Sequence, residues 1–308
     1  MLKRLFRKLM SLSQSTIKQA NRSRHLQILS TRLVSTLFAG TYKSVFRGRG
    51  MEFGELCDYQ PGDDIRNIDW NVTARSGRPF IKRFVEEREM TVMILLDRSA
   101  SLNCPSPARA KYDAAQEVSA ILATVAGRNN DRAGLITFGE GVQCYIPPGK
   151  GLRHTRRLIT EIASNRSAAS ASDLAAALNY LNSVIRRPVI LFIISDFICT
   201  DFTAPLASAA RRHDTVAIAV NDPHDLNLLD VGLLQVADAE TGQRRVIDTG
   251  SVKVRSEYAR LAAIRMADTY KTVTAAGAEL LPLATTVNPV QALSRFFQTR
   301  QRRSRSLA

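Results

Sequence analysis

The sequence predicts an α/β fold built on a doubly wound, mostly parallel sheet, with an N-terminal helical and short-strand extension. Three observations carry this. Two uninterrupted apolar runs, Val92-Met93-Ile94-Leu95-Leu96 and Val189-Ile190-Leu191-Phe192-Ile193-Ile194, have the composition of strands buried on both faces. Strand-like and helical patterns alternate from Thr91 onward, as they do in a layered sheet with crossover helices. At 308 residues and 45% hydrophobic content the chain can enclose a sizeable core.

Taken in order, residues 1–46 form a basic helical region. Leu2, Leu5, Phe6, Leu9 and Met10 recur at helical spacing opposite Lys3, Arg4, Arg7 and Lys8, the pattern of a basic amphipathic helix. A second apolar helical pattern runs from His25 to Phe38 and ends near Gly40. Residues 47–88 change character. Gly48, Gly50, Gly54, Pro61-Gly62, Asp63-Asp64 and Gly77-Arg78-Pro79 supply turn chemistry around Trp70, the single tryptophan, so short strands and loops anchored by an aromatic are expected.

Residues 89–286 hold the main domain. Strands are expected at 91–96, 133–138, 142–146, 188–195, 214–220 and 278–283, with helices near 108–126, 151–164, 172–185, 202–212 and 254–276. A small hairpin is expected over Ala237–Asp248 around Thr241-Gly242. Residues 287–308 form a last helix, near 288–300, and a basic tail.

The net charge of +15 is concentrated at the two ends. Residues 1–50 contain eleven Lys/Arg and 291–308 contain five Arg, with no acid in either, while the residues between them hold 27 basic against 28 acidic side chains. Polybasic ends beside a neutral body suit an anionic membrane face or an acidic partner. No apolar run approaches the roughly 20 residues that cross a bilayer, and no signal-peptide pattern opens the sequence, which places the protein in the cytoplasm or peripherally at the inner membrane face. Cys57, Cys104, Cys144 and Cys199 lie far apart, as reduced structural thiols do.

Chemistry converges on three loops. Asp97-Arg98-Ser99-Ala100-Ser101 follows the first central strand, Ser195-Asp196 ends a later one, and Ser172-Asp173 opens a helix between them. In an open α/β sheet such loops meet at the carboxyl ends of the strands. Asp97, Ser99, Ser101, Ser172 and Asp196 then offer hard oxygen ligands of low total charge, suited to Mg²⁺, with Mn²⁺ or Ca²⁺ as alternatives. The competing reading of the first loop is a cap for the following turn.

These residues resemble the metal-ion-dependent adhesion site of von Willebrand factor type A domains, in which a DxSxS loop, a later Thr and a later Asp hold the cation. Asp97, Ser99, Ser101 and Asp196 match that pattern, and Ser172 stands where the family usually has Thr. The resemblance implies a type A-like, Rossmann-type fold and a metal completed by a partner's acidic side chain.

A second resemblance rests on Glu52-Phe53-Gly54-Glu55-Leu56, Tyr59-Gln60-Pro61-Gly62-Asp63-Asp64-Ile65-Arg66, Ile68-Asp69-Trp70 and Thr73-Ala74-Arg75. This signature is similar to that of the bacterial domain-of-unknown-function-58 family. Members are often encoded beside MoxR-type AAA+ ATPases, which implies an adaptor or co-chaperone role toward such an ATPase. Within the signature, Tyr59, Pro61, Gly62, Asp63, Asp64, Arg66, Asp69 and Trp70 read as structural: a turn and an ion-pair and capping network that fixes Trp70, with the acids paired to Arg66 or Arg75.

An enzyme is the weaker reading. Neither a Walker A loop nor a GxSxG elbow is present, and His154 and His213 sit in Arg-flanked helical stretches where a solvated histidine is expected. A metal-dependent hydrolase therefore ranks last, and no small-molecule substrate is implied. Nucleic-acid binding through Arg300, Arg302, Arg303 and Arg305 ranks below protein or lipid docking, because few aromatics interleave with those arginines.

Overall fold

The computed structural model describes residues 21–28, 30–31, 52–85, 89–103, 109–164, 171–199, 201–237 and 243–306. The amphipathic pattern over Met1–Leu12 and the Thr241-Gly242 turn lie outside these residues. The chain divides into two compact units, Phe46–Met90 and the remainder.

In the smaller unit, β1 (Glu52–Asp58) pairs antiparallel with β2 (Phe80–Val85), and α1 (Trp70–Ser76) lies between them in sequence. The three signature aspartates accept backbone amides here. Asp63 accepts from the Gln60 amide (3.0 Å), Asp64 from the Arg66 amide (3.0 Å), and Asp69 from the Asn71 and Val72 amides at the start of α1. None of the three is buried, so desolvation does not force them onto Arg66 or Arg75 as the sequence reading expected. Gly62 and Gly77 take positive φ, 112° and 70°, which explains a glycine at each turn. Trp70 departs from expectation: it is 66% exposed and anchors nothing by burial, whereas Ile81, bridged to Ile68, is buried.

The larger unit is built on a six-stranded sheet. In chain order its strands are β3 (Thr91–Asp97), β4 (Arg132–Phe138), β5 (Val142–Gly149), β6 (Ile190–Ser195), β7 (Asp214–Asn221) and β10 (Glu279–Ala284). Across the sheet they run β10-β7-β6-β3-β4-β5, parallel except for the edge strand β5. The chain moves outward from β3 through β4 to β5, then returns to β3's other side with β6. The order therefore reverses between β3 and β6, and this is the doubly wound arrangement the alternating pattern predicted.

Helices α2 (Lys111–Arg128), α3 (Leu152–Ile162), α4 (Leu174–Val184), α5 (Thr203–Arg212), α6 (Val252–Ala275) and α7 (Pro289–Ser306) follow. Helices α4 and α5 cover the sheet face that carries Met93, Leu95, Ile136, Phe138, Leu191 and Ile193. Alternate residues of β3, Val92, Ile94 and Leu96, are equally buried on the other face, so the continuous apolar run reflects two covered faces. Helix α2 is buried nearly all round. Leu26, in the helical residues 21–28, packs against Ala120, Ile159 and Ala163.

The hairpin differs from its expected span. Its strands are β8 (Leu233–Ala237) and β9 (Arg244–Asp248), so the first strand ends at Ala237 instead of beginning there. Most of its residues are exposed on both faces, and without one buried face its alternation gave little to read. Helix α7 buries Val290, Leu293 and Phe297, and its Arg300 pairs with Asp214 (2.5 Å) and Glu279 (3.3 Å), so that arginine serves the fold.

Candidate metal centre

Residue alternation after β3 builds the site. Asp97 is the strand's last residue, level with Phe138 of β4, and is fully buried. Its Oδ1 accepts the Ser99 amide at 2.8 Å, which folds the loop back so that the Ser99 and Ser101 hydroxyls lie 3.0 Å apart. Arg98, between them, points the opposite way. Its guanidinium donates to Glu161 Oε1 (3.1 Å), to the Glu161 carbonyl and to Ser164 Oγ (3.0 Å) at the end of α3. This buried clamp holds Asp97 and Ser99 toward the sheet's carboxyl edge.

Two hydroxyls from other loops close on Asp97. Ser172 donates to its Oδ2 at 2.9 Å, and Ser195, the last residue of β6, donates to the same oxygen at 2.6 Å. The neighbouring Asp173 is spent on the Ala176 amide as the cap of α4. Asp196 is buried beside these groups. Its Oδ1 accepts the Ile198 amide (3.2 Å) and its Oδ2 accepts Lys111 Nζ (3.1 Å), and Lys111 also reaches Asp225 Oδ2 at 3.0 Å.

Electrostatics follow from this packing. Burial pushes the Asp97 carboxyl above its ordinary range, the negative charge of Asp196 adds to the push, and the Ser195 hydroxyl with the Ser99 amide and hydroxyl reverses part of it. Burial alone would lower the Lys111 ammonium, but Asp196 and Asp225 outweigh it and raise its pKa. Cys199 is pushed up to about 12, by burial first and then by Asp97 and Asp196, so its thiol stays protonated.

The structure thus brings Asp97, Ser99, Ser101 and Ser172 into one hydrogen-bonded set, with Asp196 alongside. The signature residues Tyr59 to Trp70 belong to the smaller unit. The donor set fits a hard divalent cation. It is composed of oxygen, it stands at the reversal of strand order, and a carboxylate pushed toward protonation first by burial and then by a second carboxylate is relieved by positive charge. Among the described residues no cluster of three His, Cys, Asp or Glu forms a metal site, so the hydroxyls must contribute to any ligation here.

Sequence reasoning missed Ser195 and Lys111. Ser195 was legible as the polar residue ending an otherwise apolar strand. Lys111 was legible as a cation at the first position of a buried helix, where the helix dipole opposes it and acidic partners become necessary. His213 also departs from expectation. As the C-cap of α5 it leaves the helix in an extended conformation and is buried, and burial first, then Arg212, lowers its pKa.

A doubly wound sheet whose reversal point joins a DxSxS loop to a second acidic strand end is a von Willebrand factor type A-like domain. The chain belongs to the family described as Protein of unknown function DUF58, whose model matches residues 55–268. It is similar to an uncharacterized protein of Mycobacterium tuberculosis, 32% identical over 288 residues, covering 92% of this chain and 90% of the relative. An uncharacterized protein of Mycobacterium avium is 34% identical over 160 residues, covering 51% of this chain and 94% of the relative. The crystal structure of the conserved hypothetical protein BatB from Bacteroides thetaiotaomicron aligns at 15% identity and a TM-score of 0.42, covering 69% of this chain and 99% of that one.

Proposed function

We propose that this protein is a non-enzymatic adaptor that binds a protein partner through a divalent cation held by Asp97, Ser99, Ser101 and Ser172, with Asp196 nearby. The observation that carries the reading is the closure of three separate loops on the buried Asp97 carboxylate at the strand-order reversal. When bound, the cation supplies a positive centre that an acidic side chain of the partner can complete. Asp97 provides the resident negative charge. The Ser99 and Ser101 hydroxyls orient toward the same point, and Ser172, carried on a separate loop, is the donor free to change its distance as a partner engages.

Mg²⁺ is the first candidate, with Mn²⁺ or Ca²⁺ as alternatives, and a MoxR-type AAA+ ATPase is the candidate partner that the family resemblance implies. Titration of Mn²⁺ into the protein and its Asp97→Ala variant tests the site. Saturable binding lost in the variant is expected, together with metal-dependent capture of the ATPase. Equal binding by both would refute the site, and capture that persists in chelator would refute the metal bridge.

A second reading concerns location. Arg302 is exposed near the end of α7, within an arginine-rich stretch of the sequence. This supports a cytoplasmic protein that docks peripherally on an anionic membrane face through its basic ends. No described helix is long and apolar enough to cross a membrane.

A further inference from the structure

Lys111 is held against two physical penalties. It is 3% exposed, so its ammonium has lost nearly all hydration, and it occupies the first position of the 18-residue helix α2, where the dipole repels positive charge. An apolar side chain would meet neither penalty. The position instead carries a cation bonded to Asp196 Oδ2 at 3.1 Å and Asp225 Oδ2 at 3.0 Å. Asp196 is the second carboxylate whose charge reaches Asp97, so the Lys111 charge acts on the same centre from behind Asp196.

We propose that Lys111 is the charge-setting residue of this centre: by neutralising Asp196 it weakens the protein's own hold on a divalent cation and preserves that cation's demand for an anionic partner group. The inference rests on the metal reading given above. With Asp97 and Asp196 both uncompensated, two negative charges would nearly balance a divalent ion and leave little attraction for a partner's carboxylate. With Lys111 in place the resident charge falls to about one, and the deficit is available to the partner. Asp225, on the far side of Lys111, shares the ammonium and so limits how much of its charge reaches Asp196.

The charge role makes a signed prediction that a purely tethering role does not. Lys111 also joins the loops after β6 and β7 to the start of α2, and either partner's loss would loosen that tie. If tethering were its whole function, Lys111→Met and Asp225→Asn would both weaken cation binding. If charge is its function, the two act in opposite directions: Lys111→Met tightens Mn²⁺ binding and Asp225→Asn weakens it, each by roughly tenfold. Lys111→Arg keeps the charge and should leave the affinity within about threefold of the parent.

Mn²⁺ titrations of the full chain and these three variants, with a thermal melt of each metal-free protein, decide the matter. Opposite shifts support the proposal. Weaker binding by both Lys111→Met and Asp225→Asn, or no change in either, overturns it while leaving the metal centre standing. Absence of Mn²⁺ binding in the parent and all variants overturns the metal reading and this inference with it, whereas binding that appears only in Lys111→Met supports Lys111 as the opposing charge. Should Lys111→Met fail to fold, Lys111→Gln removes the charge while keeping a polar side chain: tighter Mn²⁺ binding there supports the charge role, and weaker or unchanged binding overturns it.

Discussion

The Ser195 hydroxyl donates to Asp97 Oδ2 at 2.6 Å and accepts the Phe197 amide at 2.9 Å, tying the ends of the two central strands, β3 and β6, through one buried oxygen. Phe197 follows in a left-handed conformation, φ 55°, an uncommon state for a residue with a side chain. The hydroxyl that orients Asp97 therefore also stabilises the sharp turn after β6.

Ser195→Ala should cost about 2 kcal/mol, because it removes one hydrogen bond to a buried carboxylate and leaves a buried amide without that acceptor. Urea denaturation measures this. A loss below about 0.5 kcal/mol would mean that water replaces both bonds. In the metal reading the same change lowers Mn²⁺ affinity by roughly tenfold, as expected for a group that orients a ligand.

Arg98→Leu tests the clamp behind the loop. Arg98 is 1% exposed and Glu161 is largely covered, so removing the guanidinium strands a carboxylate and should cost about 3 kcal/mol. Adding Glu161→Leu should restore part of that, measured as a coupling in a double-mutant cycle. Strictly additive losses would show that the pair contributes nothing as a pair.

His213 gives the pH dependence. Burial lowers its pKa beneath the ordinary 6.5, so the folded state binds its proton less readily than the unfolded chain does. Its stabilising contribution is then complete above about pH 6.5 and is lost as pH falls toward the lowered native value. Melting temperatures taken downward from neutral pH should fall in the parent and fall less in His213→Leu. Parallel curves would show that the imidazole is solvated after all.

Gly127→Ala is expected to destabilise, although an alanine inside a helix ordinarily gains about 1 kcal/mol over glycine. The new Cβ would press on Thr155 Oγ1 of α3, whereas the Thr155 Cβ itself stands at 3.4 Å, ordinary contact. Combining it with Thr155→Ala removes the obstructing oxygen and should return the helix gain. A stabilised single variant would mean that α2 and α3 separate at little cost.

The elements of the larger unit were legible because their signals are local. The apolar runs of β3 and β6 and the helical spacing between strands need only near neighbours in sequence, and each expected strand from Thr91 to Ala284 overlaps an observed one. The hairpin was placed less well because β8 and β9 lack a buried face. Trp70 reads as an anchor because a lone tryptophan is large enough to serve as one, yet nothing in its local pattern reveals the exposure it has. His213 is hidden for the opposite reason: flanking arginines describe the helix surface, while the residue itself is the buried, extended cap at the helix end.

The amino-acid sequence by itself determined the order of strands and helices, the DxSxS loop and the concentration of positive charge at the ends, since periodicity, spacing and composition are properties of short stretches. Only the tertiary structure decided which groups share the site. Asp97 and Ser195 are 98 positions apart, and Lys111 and Asp196 are 85 apart. Their meeting depends on β6 returning to lie beside β3, a long-range pairing that commits one buried oxygen or one buried charge to one partner, and no local pattern encodes that choice.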